Sequence, residues 1–101
     1  MNDIKDIWTM DELLKYCQYY RIKLVPKSEK FMCGFAGMHM EKGEDWGVNI
    51  PPNTIFYDGS MKGKELFETL KHEVEELVLM RIRGIKYFPA HRIATSDEKK
   101  H

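Results

Sequence analysis

The segment from Met61 to Arg83 carries the strongest helical pattern in the chain, and this predicted helix is apolar on two sides. Its main apolar stripe repeats at about 100° per residue, which is the period of an α-helix. The stripe consists of Leu66, Phe67, Leu70, Val74, Leu77 and Val78. Leu79 and Met80 lie at the far end of the opposite face. A helix that is apolar on both sides is covered on both sides, so the chain must fold around this segment.

The sequence after this helix is the expected cover for its second side. Gly84 suits the position just beyond a helix end, where a left-handed backbone is common. The residues from Tyr87 to Ala94 begin a second helix, with Pro89 in its first turn. We therefore expect Met61–Arg83 and Pro89–Thr95 to form an antiparallel helical pair.

The residues before the main helix predict one helix and a group of short strands. Thr9–Tyr20 is predicted to be a helix, because Thr9 and Glu12 can form a capping box at its start. Extended segments are predicted at Ile22–Val25, Phe31–Met40, Trp46–Ile50 and Thr54–Tyr57. This order predicts an α+β fold: an N-terminal helix, a small and mostly antiparallel sheet of three to four short strands, the main helix, and a second C-terminal helix.

The length and composition are those of one globular domain. The chain has 101 residues, of which 43% are hydrophobic, and this suffices for one modest core. We expect a single domain over residues 1–95 and a frayed, charged tail over residues 96–101. No apolar run approaches the roughly 20 residues that span a bilayer, and the N-terminus lacks the pattern of a secretory signal. We therefore expect a cytoplasmic protein with no membrane contact.

Charge and cysteine content exclude two further classes of protein. The 16 basic and 16 acidic residues give a formal net charge of zero. Proteins that bind nucleic-acid phosphates usually carry a clear basic excess, so no nucleic-acid partner is expected. Cys17 and Cys33 are too few for a disulfide framework and belong to no Cys-x-x-Cys pair, so both thiols are expected to be reduced.

The main helix contains the sequence His72-Glu73-Val74-Glu75-Glu76, which carries the strongest functional signal and is called the motif below. One helical turn separates His72 from Glu76, so both side chains emerge on the same face. Zinc binds imidazole nitrogen and carboxylate oxygen, and catalytic zinc sites usually have three protein ligands and one water molecule. The motif would supply two ligands, and Glu73 beside them could take a proton from the water.

The third ligand must come from another element of the fold. His91 is the first candidate, because a helical hairpin across Gly84 would fold the Ala90-His91 turn back over the motif face. Glu98 is the second candidate, if the last helix extends that far. His39 lies between two methionines of a predicted strand, so we expect it to be a strand residue rather than a ligand.

Thr54–Tyr57 followed by Leu70–Leu77 resembles the strand and active-site helix of minimal zincin-type metallopeptidase domains. In that family a first histidine and a histidine four positions later bind zinc, and the glutamate after the first histidine is the base. His72 and Glu73 match this pattern, whereas Glu76 occupies the place of the second histidine. A carboxylate ligand lowers the net charge of the site and should weaken the activation of water. The resemblance implies zinc-dependent hydrolysis of a peptide bond.

The resemblance and the residues leave several functions open. As an enzyme, the domain would bind an extended peptide substrate along Thr54–Tyr57, which would add to the edge of the sheet. A second interpretation is a metal-binding member of the family without catalysis. A third is a non-catalytic α+β module without metal, in which the sheet edge or the last helix pair binds a protein. In that case the motif would be a solvated helix face, with Glu76 paired to a nearby Lys or Arg.

Overall fold

The computed structural model of the protein describes residues 4–40 and 48–98. The helices of this part are α1 (Met10–Tyr20), α2 (Glu29–Met32), α3 (Gly63–Arg81) and α4 (Tyr87–Glu98), preceded by a 3-10 turn over Ile4–Asp6. The strands are β1 (Lys23–Lys27), β2 (Gly37–Met38) and β3 (Thr54–Asp58). This arrangement confirms the predicted α+β class.

The first helix begins as its capping box predicts. The Thr9 hydroxyl accepts a hydrogen bond from the Glu12 backbone N–H at 3.2 Å, and Glu12 Oε1 accepts one from the Thr9 N–H at 3.0 Å. The helix ends at Arg21, whose backbone is left-handed (φ 58°). Cys17 lies on its buried side, and burial raises the pKa of this thiol to about 12. A thiol with such a pKa stays protonated and unreactive.

The sheet is mixed, which corrects the expectation of a mostly antiparallel one. The strand order is β1-β3-β2, and β3 is the central strand. β1 pairs with β3 in parallel along their whole length, whereas β2 adds only a short antiparallel ladder on the other side. Parallel neighbours need a long crossover connection, and the segment between Lys27 and Thr54 provides it.

The predicted strand segments also differ in their bounds. The first strand continues through Pro26, which an edge strand tolerates because its outer N–H groups have no ladder partner within the described residues. Within Phe31–Met40 only Gly37 and Met38 are strand residues, because α2 extends to Met32 and residues 33–36 form the turn that leads into β2. Of the segment Trp46–Ile50, residues 46–47 lie outside the described part, and residues 48–50 form no strand.

β3 lies in the middle of the sheet and is not the edge strand that was expected to bind a peptide substrate. Thr54–Asp58 is hydrogen-bonded to β1 on one side, and Phe56 and Tyr57 pair with β2 on the other. An extended peptide cannot add to β3 at Phe56 and Tyr57, which already have a neighbour on each side. Within the described residues, the edges of the sheet are β1 and β2.

Two apolar cores lie on opposite faces of this sheet. β3 contributes Ile55 to the larger core and Phe56 to the smaller one, because successive strand side chains point to opposite faces. The larger core contains Ile4, Ile7, Leu13, Tyr16, Cys17, Ile22, Ile55, Phe67, Leu70, Val74, Leu77 and Val78. The smaller core contains Met32, Met38, Ile50 and Phe56. The predicted main stripe of α3 therefore faces the larger core.

The last helix covers the second side of α3, as the sequence predicts. Ala90 and Ala94 are fully buried, and their small side chains let the two helices approach closely. The connection passes through Gly84, whose backbone is left-handed (φ 67°). The helices are antiparallel, since the Ile85 N–H bonds to the carbonyl of Leu79 while the later residues of α4 lie beside the middle of α3.

The last helix is longer than predicted. It extends past Thr95 to Glu98, and Asp97 is buried against the rest of the protein. The first residues of the expected tail, 96–98, are therefore helical, whereas residues 99–101 lie outside the described part. Among the described residues, no helix combines the length and the apolar character that a membrane crossing requires.

A buried lysine ties the N-terminal turn to the main helix. Lys71 is completely buried, and its ammonium group donates a hydrogen bond of 2.9 Å to the carbonyl of Ile7. It also lies 5.6 Å from the centre of the Trp8 ring, within the range of a cation–π contact. Burial lowers the pKa of Lys71, while the charges of Glu75 and Asp97 act in the opposite direction.

Replacing Lys71 by methionine should reduce the free energy of unfolding by about 1–3 kcal/mol. Methionine fills a similar space but leaves the Ile7 carbonyl without its donor and removes the positive charge beside Glu75. Urea denaturation of both variants measures the effect. Lys64→Met is the matched control, because the Lys64 side chain is 73% exposed in its pair with Glu68 and should shift stability by less than about 0.5 kcal/mol. Equal losses in the two variants would contradict this role of Lys71.

Candidate metal centre

The carboxylate of Glu76 is the centre of a cluster of histidines in the interior of the protein. Glu76 is fully buried. Its Oε1 atom lies 2.8 Å from His39 Nε2, and its Oε2 atom lies 2.9 Å from His91 Nδ1 and 3.1 Å from His72 Nε2. These are all the histidines in the described part of the chain. Three separate elements of the fold therefore direct an imidazole at one carboxylate.

Each of these side chains is positioned by its own element. His72 and Glu76 share one face of α3, because they are one helical turn apart. His91 directly follows the fully buried Ala90 in α4. The ring of Tyr87, one turn earlier in α4, lies 5.3 Å from the ring of His91, and its hydroxyl is 3.4 Å from His91 Nδ1. The α3–α4 contact thus fixes two imidazoles beside Glu76.

The predicted ligands His72, Glu76 and His91, called the first triad below, are brought together by the fold. Their ligand atoms form a small triangle with sides of 2.9, 3.1 and 3.2 Å. Around a tetrahedral zinc ion with bonds of about 2.0–2.1 Å, neighbouring ligand atoms lie about 3.3 Å apart. The triangle therefore has nearly the size that zinc requires.

With Glu76 ionised, hydrogen bonds cannot satisfy all three sides of this triangle at once. A carboxylate oxygen only accepts, and each ring nitrogen either donates or accepts. If both nitrogens carry hydrogen, the two N–H groups of His72 and His91 face each other across 3.2 Å. If one nitrogen is bare, its lone pair faces that of Glu76 Oε2. A cation accepts a lone pair from all three atoms at once, so the geometry of the first triad suits a metal ion better than a hydrogen-bond network.

The first triad is accessible from one side. The side chain of His91 is 45% exposed and that of His72 is 12% exposed, whereas Glu76 is fully buried. Catalytic zinc sites keep one coordination position for water or substrate, unlike closed structural sites. The exposed side of His91 is where such a position would lie.

Glu73 lies beside the first triad. It is buried, and its Oε2 atom is 3.9 Å from His72 Nε2. Its side chain packs directly against Gly37 of β2, where a Cβ atom would lie 2.7 Å from Glu73 Cγ and 2.8 Å from Oε1. The absence of a side chain at Gly37 therefore makes room for this carboxylate. Glu73, His39 and Glu76 form a second group of potential ligands, called the second triad below, whose atoms lie within 4.8 Å of one another.

The burial of the motif excludes the interpretation that it is a solvated helix face. Glu73, Glu75 and Glu76 are all buried, with at most 4% of each residue exposed. Charged residues are almost never fully buried unless they are paired or bind a metal ion. The motif is therefore an interior feature of the protein.

His39 is the site residue that the sequence analysis missed. It directly follows β2, is fully buried, and contacts Glu76 instead of acting as an ordinary strand residue. The available signal was Gly37 two positions earlier, since a glycine in a strand indicates close approach of another part of the chain. Glu98, the other candidate for third ligand, ends α4 with its side chain outside the described part, so that alternative stays a prediction.

Comparison with known protein families, with curated proteins and with solved structures found no match. These comparisons therefore assign the chain to no family. What the site can do must be argued from its own geometry.

Replacing Gly37 by alanine should destabilise the protein by about 1–3 kcal/mol, because the new methyl group overlaps the Glu73 side chain. The control is the same substitution made in the Glu73→Ala variant, which lacks the overlapping atoms. In that background the cost of Gly37→Ala should fall below about 0.5 kcal/mol, since only residues in contact deviate from additivity. Chemical denaturation of the four proteins of this cycle gives the coupling. An unchanged cost in the Glu73→Ala background would show that Gly37 has another role.

Proposed function

We propose that this protein binds one zinc ion through His72, Glu76 and His91 and hydrolyses peptide bonds, with Glu73 as the general base. The observation that carries this proposal is the triangle of 2.9, 3.1 and 3.2 Å formed by the three ligand atoms. Two imidazoles and one carboxylate are also an ordinary donor set for a catalytic zinc ion.

The proposed chemistry divides between the ion and the side chains. A zinc ion held by the first triad would polarise a water molecule and the carbonyl group of the substrate. Glu73 lies next to the triad without belonging to it, and its carboxylate can hold the proton that the water loses. Because Glu76 is a carboxylate, the site carries less positive charge than one with three histidines, so a weak hydrolase is expected.

The edge strand β2 is the structural feature that supports a peptide substrate. β2 is antiparallel to β3, and Gly37 within it contacts Glu73. A peptide that added to the outer edge of β2 would pass beside the general base. This replaces the edge expected from the sequence, because β3 has a neighbour on both sides.

The first test is the affinity for zinc. His72→Ala and His91→Ala should each weaken the tightest zinc-binding event at least about tenfold, because each loses a direct ligand. Glu65→Gln is the control, since Glu65 is an exposed glutamate in the first turn of the same helix, and it should bind like the wild type. Isothermal titration calorimetry measures all four proteins. Equal affinity of wild type and His72→Ala would contradict the proposed site.

The second test distinguishes the proposed role of Glu73 as general base from the role of the zinc ligands. With one equivalent of zinc, Glu73→Gln should keep the affinity of the tightest site within a few-fold, because the first triad is intact. It should lower the rate of hydrolysis by roughly 10²–10⁴, the usual contribution of a positioned general base. Cleavage of a pool of unfolded proteins is the assay, with Glu65→Gln as the active control. A zinc-loaded wild type that cleaves nothing would favour the metal-binding member without catalysis.

A further inference from the structure

We propose that His39, Glu73 and Glu76 form a second divalent-cation site, so that the carboxylate of Glu76 can bridge two metal ions. The ligand atoms of this second triad lie within 4.8 Å of one another. His39 and Glu76 are completely buried, and Glu73 is 4% exposed. The second triad is thus a fully interior group of one imidazole and two carboxylates.

The two oxygen atoms of Glu76 face different partners. Oε1 is 2.8 Å from His39, on the side of β2. Oε2 faces His72 and His91, on the side of α4. A carboxylate whose oxygens are directed at two separate sets of nitrogen ligands has the geometry of a bridge between two ions. In di-metal hydrolytic sites the ions lie about 3.5–4 Å apart, which one carboxylate can span.

Electrostatics favours a cation in the second triad. Glu73 and Glu76 are two buried carboxylates in the same site. Like charges that share a poorly hydrated space repel each other, and burial makes each charge costly unless it is paired. The second triad lies where the two carboxylates meet, so a cation there would be attracted by both. A cation in the first triad, by contrast, is bound by Glu76 alone among these carboxylates.

The ligand sets suggest different preferences for the two sites. The first triad has two nitrogens and one oxygen, which suits zinc. The second has one nitrogen and two carboxylates, a set that manganese and zinc both accept. Because Glu76 would already be bound to the first ion, the second ion meets a carboxylate whose charge is partly neutralised. We therefore expect the second ion to bind at least about tenfold more weakly than the first.

The second site has a consequence for catalysis, which rests on the proposed function. An ion in the second triad would bind Glu73, and a carboxylate bound to a metal ion can no longer act as the general base. Zinc beyond one equivalent should therefore inhibit hydrolysis. Both readouts of the test below are independent of activity, so the second site can be examined without a known substrate.

The first readout is stoichiometry, measured by native mass spectrometry of the full chain titrated with zinc. The wild type should bind two zinc ions, and Glu65→Gln should behave identically. His39→Ala should bind one, because it loses a ligand of the second triad only. His91→Ala should also bind one, because it loses a ligand of the first triad only. Circular dichroism of each variant confirms that the helices are retained.

The second readout uses manganese as the probe, with His39→Ala as the control. Two Mn²⁺ ions bridged by one carboxylate are magnetically coupled, so the electron paramagnetic resonance signal of the first equivalent should decrease when the second is added. The signal of two equivalents in His39→Ala should show no such coupling.

The outcomes distinguish this inference from the proposed function. A wild type that binds a single zinc ion, lost in His72→Ala, would overturn the second site while supporting the first. A wild type that binds one zinc ion equally well after His72→Ala, but not after His39→Ala, would overturn both the proposed catalytic site and the bridge. Two ions with magnetic coupling would support the bridge directly.

Discussion

The buried carboxylate of Glu76 is the constraint on which the arrangement of the other elements depends. A charged group with no solvent exposure must be compensated from within the protein. Glu76 receives that compensation from β2 through His39, from its own helix through His72, and from α4 through His91. Removing any one of these elements would take away a polar partner of the carboxylate. The contacts that would form the proposed metal site are therefore also contacts that pack the fold.

Small residues make these contacts sterically feasible. Ala90 and Ala94 are fully buried at the α3–α4 interface, so α4 comes close enough for His91 to reach Glu76. Gly37 has the same role for β2, because any side chain there would overlap Glu73. Two elements can come close enough to bring polar groups together inside the protein only where the residues between them have small side chains. The small residues that allow close packing thus stand near the polar residues of the site in the sequence.

The sequence predicts those parts of the structure that depend on nearby residues. The capping box of α1, the main stripe of α3 and the position of His91 all follow from local periodicity, and His91 is only 15 positions from Glu76 across a short turn. His39 is 37 positions from Glu76, so its contact depends on how the sheet is assembled. The parallel pairing of β1 with β3 is non-local for the same reason. Hydrophobic periodicity and turn-forming residues describe only local structure, so they predict neither of these long-range pairings.

The two sides of Glu76 differ in their access to solvent, and this difference bears on the order in which cations would reach the two proposed sites. On the α4 side the His91 side chain is 45% exposed, whereas on the β2 side His39 is completely buried. An ion from solution would therefore meet the first triad before the second. Because His39 is completely buried and Glu73 is 4% exposed, an ion would reach the second proposed site only through a transient opening of the structure around it. The more exposed of the two proposed sites would thus suit exchange and catalysis, and the buried one would suit slow binding that follows occupation of the first.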